Sequence, residues 1–139
     1  SSLPYVCPVV IVDRMPMLDG GIVDSIPVGR AMEMGYARNV VVLTRNKGYR
    51  KTSRDIRIPR FIYRRFPNLR EVLSHRCECY NRQLEMVERL ENEGKILVVR
   101  PVDEVKVDRL EGNVDKLRAL YEEGYACAEK VLGAQLAGF

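Results

Sequence analysis

With 139 residues, 46% of them hydrophobic and 30% charged, the chain holds apolar material for one core, so a single domain or most of one is expected. No apolar run approaches the roughly 18 residues that a bilayer-spanning helix needs, and no leading segment reads as a secretory signal, which excludes an integral membrane helix and points to the cytoplasm. The formal charge of +4 is unevenly spread: residues 45 to 65 carry nine basic side chains against one acid, a local +8, and the remainder carries −4.

Pro8 to Val12 reads as a strand, Asp13-Arg14 as a turn and Met15 to Leu18 as a short returning strand. Alternation puts Met15 and Met17 on one face and Leu18 on the other. The preference of methionine for interiors makes core packing the plain reading, with a lining for an apolar ligand as the alternative. Beyond an Asp-Gly-Gly loop, Ile26-Pro27-Val28 leads into a helix from Val28 to Met34 that Gly35 should stop. Asn39 to Thr44 is a β-branched run without alternation, the pattern of a central strand buried on both faces. Residues 45 to 60 show no period. Asn68-Leu69-Arg70-Glu71 has the form of a capping box. It opens a long helix in which Leu69, Val72, Leu73, Tyr80, Leu84, Val87 and Leu90 recur at three- and four-residue spacing before Gly94. Ile96 to Arg100 is a further buried strand closed by Pro101. Asn113 is expected to cap a last helix that buries Leu117, Leu120, Tyr121 and Cys127. This alternation of strands and helices, without internal repeat, defines an α/β class.

Asp19-Gly20-Gly21 is the most informative motif, because one acid leaves a strand directly into two glycines. Glycine tolerates positive φ and carries no side chain to block close approach, so such a pair can aim a carboxylate into a cleft, as a catalytic base requires. Asp-Gly and Gly-Gly are also common turn dipeptides, and an ordinary turn is the competing reading. Asp24 is a second acid in the same loop. It lacks following glycines and reads as a loop or helix-capping group.

The basic residues of the charged segment are Arg45, Lys47, Arg50, Lys51, Arg54, Arg57, Arg60, Arg64 and Arg65, with Tyr49, Phe61, Tyr63 and Phe66 among or beside them. Such a segment attracts anionic headgroups at about 1 kcal/mol per basic residue near a charged surface, with aromatics able to sit at the interface. A solvated loop is the plain alternative. No nucleic-acid module surrounds the segment, so nucleic acid is not the expected partner. The four cysteines, Cys7, Cys77, Cys79 and Cys127, fit free thiols in a reducing compartment. Cys77 and Cys79, two apart on a helix, point to different faces, and with one histidine in the chain no metal site is expected. His75 sits mid-helix between Glu71 and Glu78 at helical spacing, which predicts a surface ion-pair ladder and no catalytic role.

Three segments together resemble a known family, the patatin-like phospholipases, particularly their bacterial branch. These are Ser1-Ser2-Leu3-Pro4, then Asp19-Gly20-Gly21 with Pro27 six residues after the second glycine, and the strand Asn39-Val40-Val41-Val42-Leu43-Thr44-Arg45. The basic loop, the long helix, the Ile96 to Pro101 strand and the Tyr121-Glu122-Glu123-Gly124-Tyr125 helix are similar to the C-terminal half of that group, so the resemblance runs over most of residues 1 to 132. It implies a three-layer sandwich of mostly parallel central strands flanked by helices, with a short hairpin before the Asp-Gly-Gly loop. It also implies a serine acyl hydrolase acting on lipid or acyl-ester substrates through a Ser-Asp dyad, without cofactor or metal. Asp19 maps onto the acid of the dyad, with Gly20 and Gly21 positioning it and Ser25 and Pro27 holding the loop. Ser25 stands where many members have Asn, and it can still fix a turn by hydrogen bonding.

In the family the nucleophile sits in a G-x-S-x-G elbow and a Gly-rich loop forms the oxyanion hole. None of the ten glycines here frames a serine in that pattern, and the chain begins at Ser1 without an initiator Met. The expectation is therefore that residues 1–139 form the C-terminal part of the catalytic domain, inactive alone and partnered by an N-terminal half of the same protein. An aspartate titrating near roughly pH 3.9 in water is a weak base, so a dyad depends on partial desolvation and on geometry. A non-catalytic binding or regulatory domain that keeps the scaffold, with the basic loop for anionic partners, is the other reading.

Overall fold

After an opening pair of strands, helices and strands alternate along the chain. The computed structural model describes residues 9–52, 66–107 and 111–135. Its elements are β1 (Val10–Val12), β2 (Met15–Met17), a single 3-10 turn (Gly20–Ile22), α1 (Val28–Glu33), β3 (Asn39–Val42), α2 (Pro67–Asn92), β4 (Ile96–Val99) and α3 (Val114–Gln135). The architecture is mixed α/β, with one antiparallel and one parallel pair of strands. The chain divides into two units, Ser1–Pro27 with Lys51–Met86 and Val28–Arg50 with Val87–Phe139.

In the first unit β1 and β2 form a hairpin in the register Val10↔Met17, Ile11↔Pro16 and Val12↔Met15. Its two turn residues, Asp13 (φ 49°) and Arg14 (φ 66°), are both left-handed. That geometry matches the right-handed twist of paired strands and is normally taken by Asn-Gly. Pro16 donates no ladder bond, which a two-stranded edge tolerates. The hairpin is apolar yet exposed, from 41% at Met17 to 64% at Ile11. The expectation of core packing for Met15 and Met17 is thereby corrected: register places both on the face shared with Val10 and Val12, which no described element covers. Among the described residues of this unit the buried apolar side chains are Ile22, Ile26, Leu73 and Leu84.

α2 starts at Pro67, one residue before the capping position read at Asn68. Proline suits the first helical position because its missing N–H has no intrahelical partner there anyway. The helix ends at Gly94, in the left-handed region at φ 67°, where Gly94 N–H donates to Glu91 O (3.0 Å) and Lys95 N–H to Leu90 O (2.9 Å). This paired closure is a Schellman motif.

The second unit is built on the parallel pair β3 and β4, in register from Asn39↔Ile96 to Val42↔Val99 and extended by Leu43 N–H donating to Val99 O at 2.8 Å. All four β4 residues are buried. β3 departs from the two-sided burial read from its sequence: Val41 is buried, whereas Val40 is 45% and Val42 71% exposed. A β-branched run looks the same whether one or both faces are covered. Here α1 packs on β3 and α3 on β4, and the Val40–Val42 face has no cover among the described residues. Val87 is fully buried, with Leu90, Val28 and Leu43 also in this core.

Asn113 caps α3 as expected, its Oδ1 accepting from the N–H groups of Asp115 (3.0 Å) and Lys116 (3.2 Å). Burial along α3 differs from the sequence reading. Leu120 and Cys127 are half-buried, but Leu117 and Tyr121 are exposed, the latter at 71%. The apolar stripe of α3 is wider than its contact with β4, so Val114, Leu117, Tyr121 and Tyr125 lie along its open edge.

Candidate functional site

Asp19 follows β2 in extended conformation (φ −61°, ψ 125°) and caps the 3-10 turn, its Oδ1 accepting from Gly21 N–H at 2.7 Å. The turn closes through Ile22 N–H to Asp19 O (3.1 Å) and Asp24 N–H to Gly20 O (3.0 Å). Neither Gly20 nor Gly21 is among the left-handed glycines, so the positive φ for which a Gly-Gly pair suggests itself is not used. What matters at Gly21 is space, since a Cβ there would lie 3.0 Å from Asp19 Oδ1; at Gly20 it would meet nothing within 4 Å. A side chain at Gly21 would therefore press on the Asp19 carboxylate as it folds back on its own backbone.

Ser25 and Asp24 complete the loop. Ser25 Oγ donates to Gly21 O at 2.7 Å, which is the turn-fixing role expected of it. Gln83, on α2, accepts from the N–H groups of Ser25 (3.2 Å) and Ile26 (3.1 Å) through Oε1 and donates to Asp24 Oδ1 at 2.6 Å through Nε2. One amide therefore satisfies two backbone donors and one carboxylate oxygen, and Asp24 is a structural group of the loop. Sequence reading missed Gln83. The available signal was its position three residues after Tyr80 and four before Val87, a polar side chain on the core-facing stripe of α2. Pro27 is exposed and directly precedes α1.

Asp19 is half-buried, and among the described residues it makes no ion pair. Its neighbour Leu18 lines an apolar cavity of about 220 Å³ together with Val9, Pro16, Phe66 and Leu69. Alternation along the hairpin puts Val9, Pro16 and Leu18 on one face, opposite the exposed Val10, Val12, Met15 and Met17 face.

Three of the four described basic residues of the segment are tied down. Arg50 forms a two-pronged pair with Glu88, at 2.7 and 3.1 Å, and this contact holds the Glu88 carboxyl below its ordinary range. Lys51 exchanges two backbone bonds with the Asn81 amide, at 2.8 and 3.0 Å, and its Nζ lies 4.9 Å from the Tyr80 ring centre. Arg45 donates to Val105 O at 3.3 Å and stacks on Tyr49 at 5.1 Å. Arg54, Arg57, Arg60, Arg64 and Arg65, with Phe61 and Tyr63, lie outside the described residues, as does Cys7.

His75 is exposed, its Nδ1 3.0 Å from Glu71 O and 3.2 Å from Ser74 Oγ. The predicted carboxylate ladder is corrected accordingly, since Glu78 faces Arg82 at 4.0 Å instead. Cys77, Cys79 and Cys127 are free thiols. No helix among the described residues is long and apolar enough to cross a membrane.

Residues 66–137 match the model of a family described as a domain of unknown function, DUF6363. No curated protein and no solved structure matches the chain.

Proposed function

The chain belongs to the DUF6363 family; on the separate ground of its Asp19 loop we propose that it supplies the acid of a Ser-Asp dyad to a patatin-like lipid acyl hydrolase. The serine and the oxyanion donors come from a further part of the same protein. The observation that carries this reading is the state of Asp19: half-buried, fixed at one oxygen by Gly21 N–H, unpaired with any described cation and next to an apolar cavity. A carboxylate has two oxygens, and holding one on the backbone orients the other as a proton acceptor. The serine oxygen bonds to the ester carbonyl carbon while Asp19 takes the hydroxyl proton. The alcohol then leaves with that proton, and water, deprotonated by the same carboxylate, releases the acid.

The bare apolar surfaces agree with this arrangement. Parallel strands are ordinarily covered on both faces, and Val40 of β3 is 45% exposed without cover among the described residues, which leaves room for a further layer of the sandwich this reading requires. The basic segment draws the assembly to anionic lipid from the cytoplasmic side. The test is Asp19→Asn in the whole protein with a short acyl ester as substrate. Turnover at the wild-type rate by a folded variant removes Asp19 from the mechanism.

One observation favours the second reading, a non-catalytic binding domain. The family match, 66–137, takes in α2, β4 and α3 and leaves Asp19 outside. A protein that labels with no serine-directed probe yet keeps its ligand affinity would decide for that reading.

A further inference from the structure

A cavity of about 760 Å³ opens in the second unit, beyond the carboxyl ends of the parallel strands. Val42, Leu43 and Thr44 run out of β3 into its wall, and Val99, Arg100 and Pro101 do so from β4. The outside of the carboxyl ends of parallel strands is where open α/β sheets bind ligands, because the chain leaves the sheet there in diverging connections. The volume lies within the ordinary range of small-molecule sites, roughly 300–1,000 Å³. The far side is closed by Leu120, Gly124 and Cys127 of α3 and by Val105 and Val107.

Two guanidinium groups line this cavity, and they are not equivalent. Arg100 is nearly buried and pairs with the Glu91 carboxylate, so its charge is cancelled locally. Arg45 is held by Val105 O and by the Tyr49 ring, and among the described residues no carboxylate pairs with it. The cavity therefore joins a mostly hydrocarbon wall to one positioned cation that no carboxylate among the described residues compensates. A lone cation of this kind is satisfied by a single anionic group, and the walls by an alkyl chain.

We infer that this cavity binds a single-chain amphiphile with an anionic head, its head on Arg45 and its tail between the strand ends and α3. The inference goes beyond the hydrolase reading and uses no residue of the Asp19 loop, so either can fail without the other. A carboxylate and a phosphate head share the required chemistry.

Calorimetric titration of the whole protein with dodecanoate, dodecyl phosphate and dodecanol, each below its micelle or solubility limit, tests it. Both anions should bind more tightly than the alcohol, and the tighter of the two identifies the head group. Arg45→Gln should weaken anion binding by about 10- to 100-fold, the worth of one charge-assisted bond, and leave dodecanol nearly unchanged. Gly124→Phe is the second variant. A Cβ at Gly124 meets nothing within 4 Å, and most residues suit a helix better than glycine, so the variant should keep the wild-type melt while its ring occupies the cavity and lowers affinity at least tenfold. Saturating dodecanoate should also slow iodoacetamide alkylation of Cys127 while leaving that of Cys79, which is not part of this cavity, unchanged. Equal affinity for dodecanoate and dodecanol, absence of binding, or wild-type affinity in either variant overturns the inference.

Discussion

Asp19 has a structural and a proposed chemical role, and two substitutions separate them. Its Oδ1 caps the 3-10 turn through Gly21 N–H at 2.7 Å. Alanine removes that acceptor, and loss of a side-chain cap costs about 1 kcal/mol. In a chain of 139 residues that lowers the melting midpoint by about 3–5 °C. Asparagine keeps an oxygen in the same place, caps as well as aspartate, and should leave the midpoint almost unmoved. Neither residue accepts a proton as a carboxylate does, so both variants of the whole protein should lose about 10²- to 10⁴-fold in kcat/KM on p-nitrophenyl butyrate, the usual worth of a positioned general base. The account requires activity to fall equally in two variants of unequal stability. If Asp19→Asn hydrolyses the ester within threefold of wild type while Asp19→Ala loses activity in step with its stability, Asp19 is a cap and nothing more.

Gln83→Ala should destabilise the chain by about 1–3 kcal/mol, since it strips the shared acceptor from Ser25 and Ile26 N–H; a urea melt indistinguishable from wild type would show that water replaces the amide. Gly94→Ala places a Cβ at φ 67° and should cost about 1 kcal/mol even though the space around it is open, a loss readable from the same denaturant series. Because Arg50 lowers the Glu88 carboxyl below its unfolded value, the pair stabilises above the unfolded pKa, and this contribution fades as pH falls through the folded one. The pair is partly exposed, so the amount is below about 1 kcal/mol. Glu88→Gln should flatten the acid limb of the stability profile and leave stability below that limb unchanged, and a steepened limb would reverse the sign.

Local chemistry was legible in the sequence wherever it is decided by neighbours. The hairpin turn at Asp13-Arg14, the Asn113 cap and the glycine stops at Gly35 and Gly94 all depend on a few adjacent residues. β4, whose four residues are all buried, also matched its pattern. Burial of β3 and α3 was less legible because an apolar stripe records what a segment is able to bury and not how much of it a neighbour covers. The exposed Val42 and Tyr121 are the consequence. At the candidate site the turn itself was readable, but the left-handed backbone expected of its glycines is not used: Gly21 leaves space beside the Asp19 carboxylate, and Gly20 has no neighbour that requires it. Gln83 was missed because its partners lie far away along the chain. The Arg45 cavity escaped for the same reason, as its walls come from β3, β4 and α3.

The central claim is that Asp19 activates a serine, and the most direct measurement is labelling of the whole protein with a fluorophosphonate probe, which reacts only with an activated hydroxyl. The account predicts one labelled serine in the wild type, with labelling slowed at least a hundredfold by Asp19→Asn in a protein that melts at the same temperature. Equal labelling of the two proteins, or none in the wild type, contradicts it.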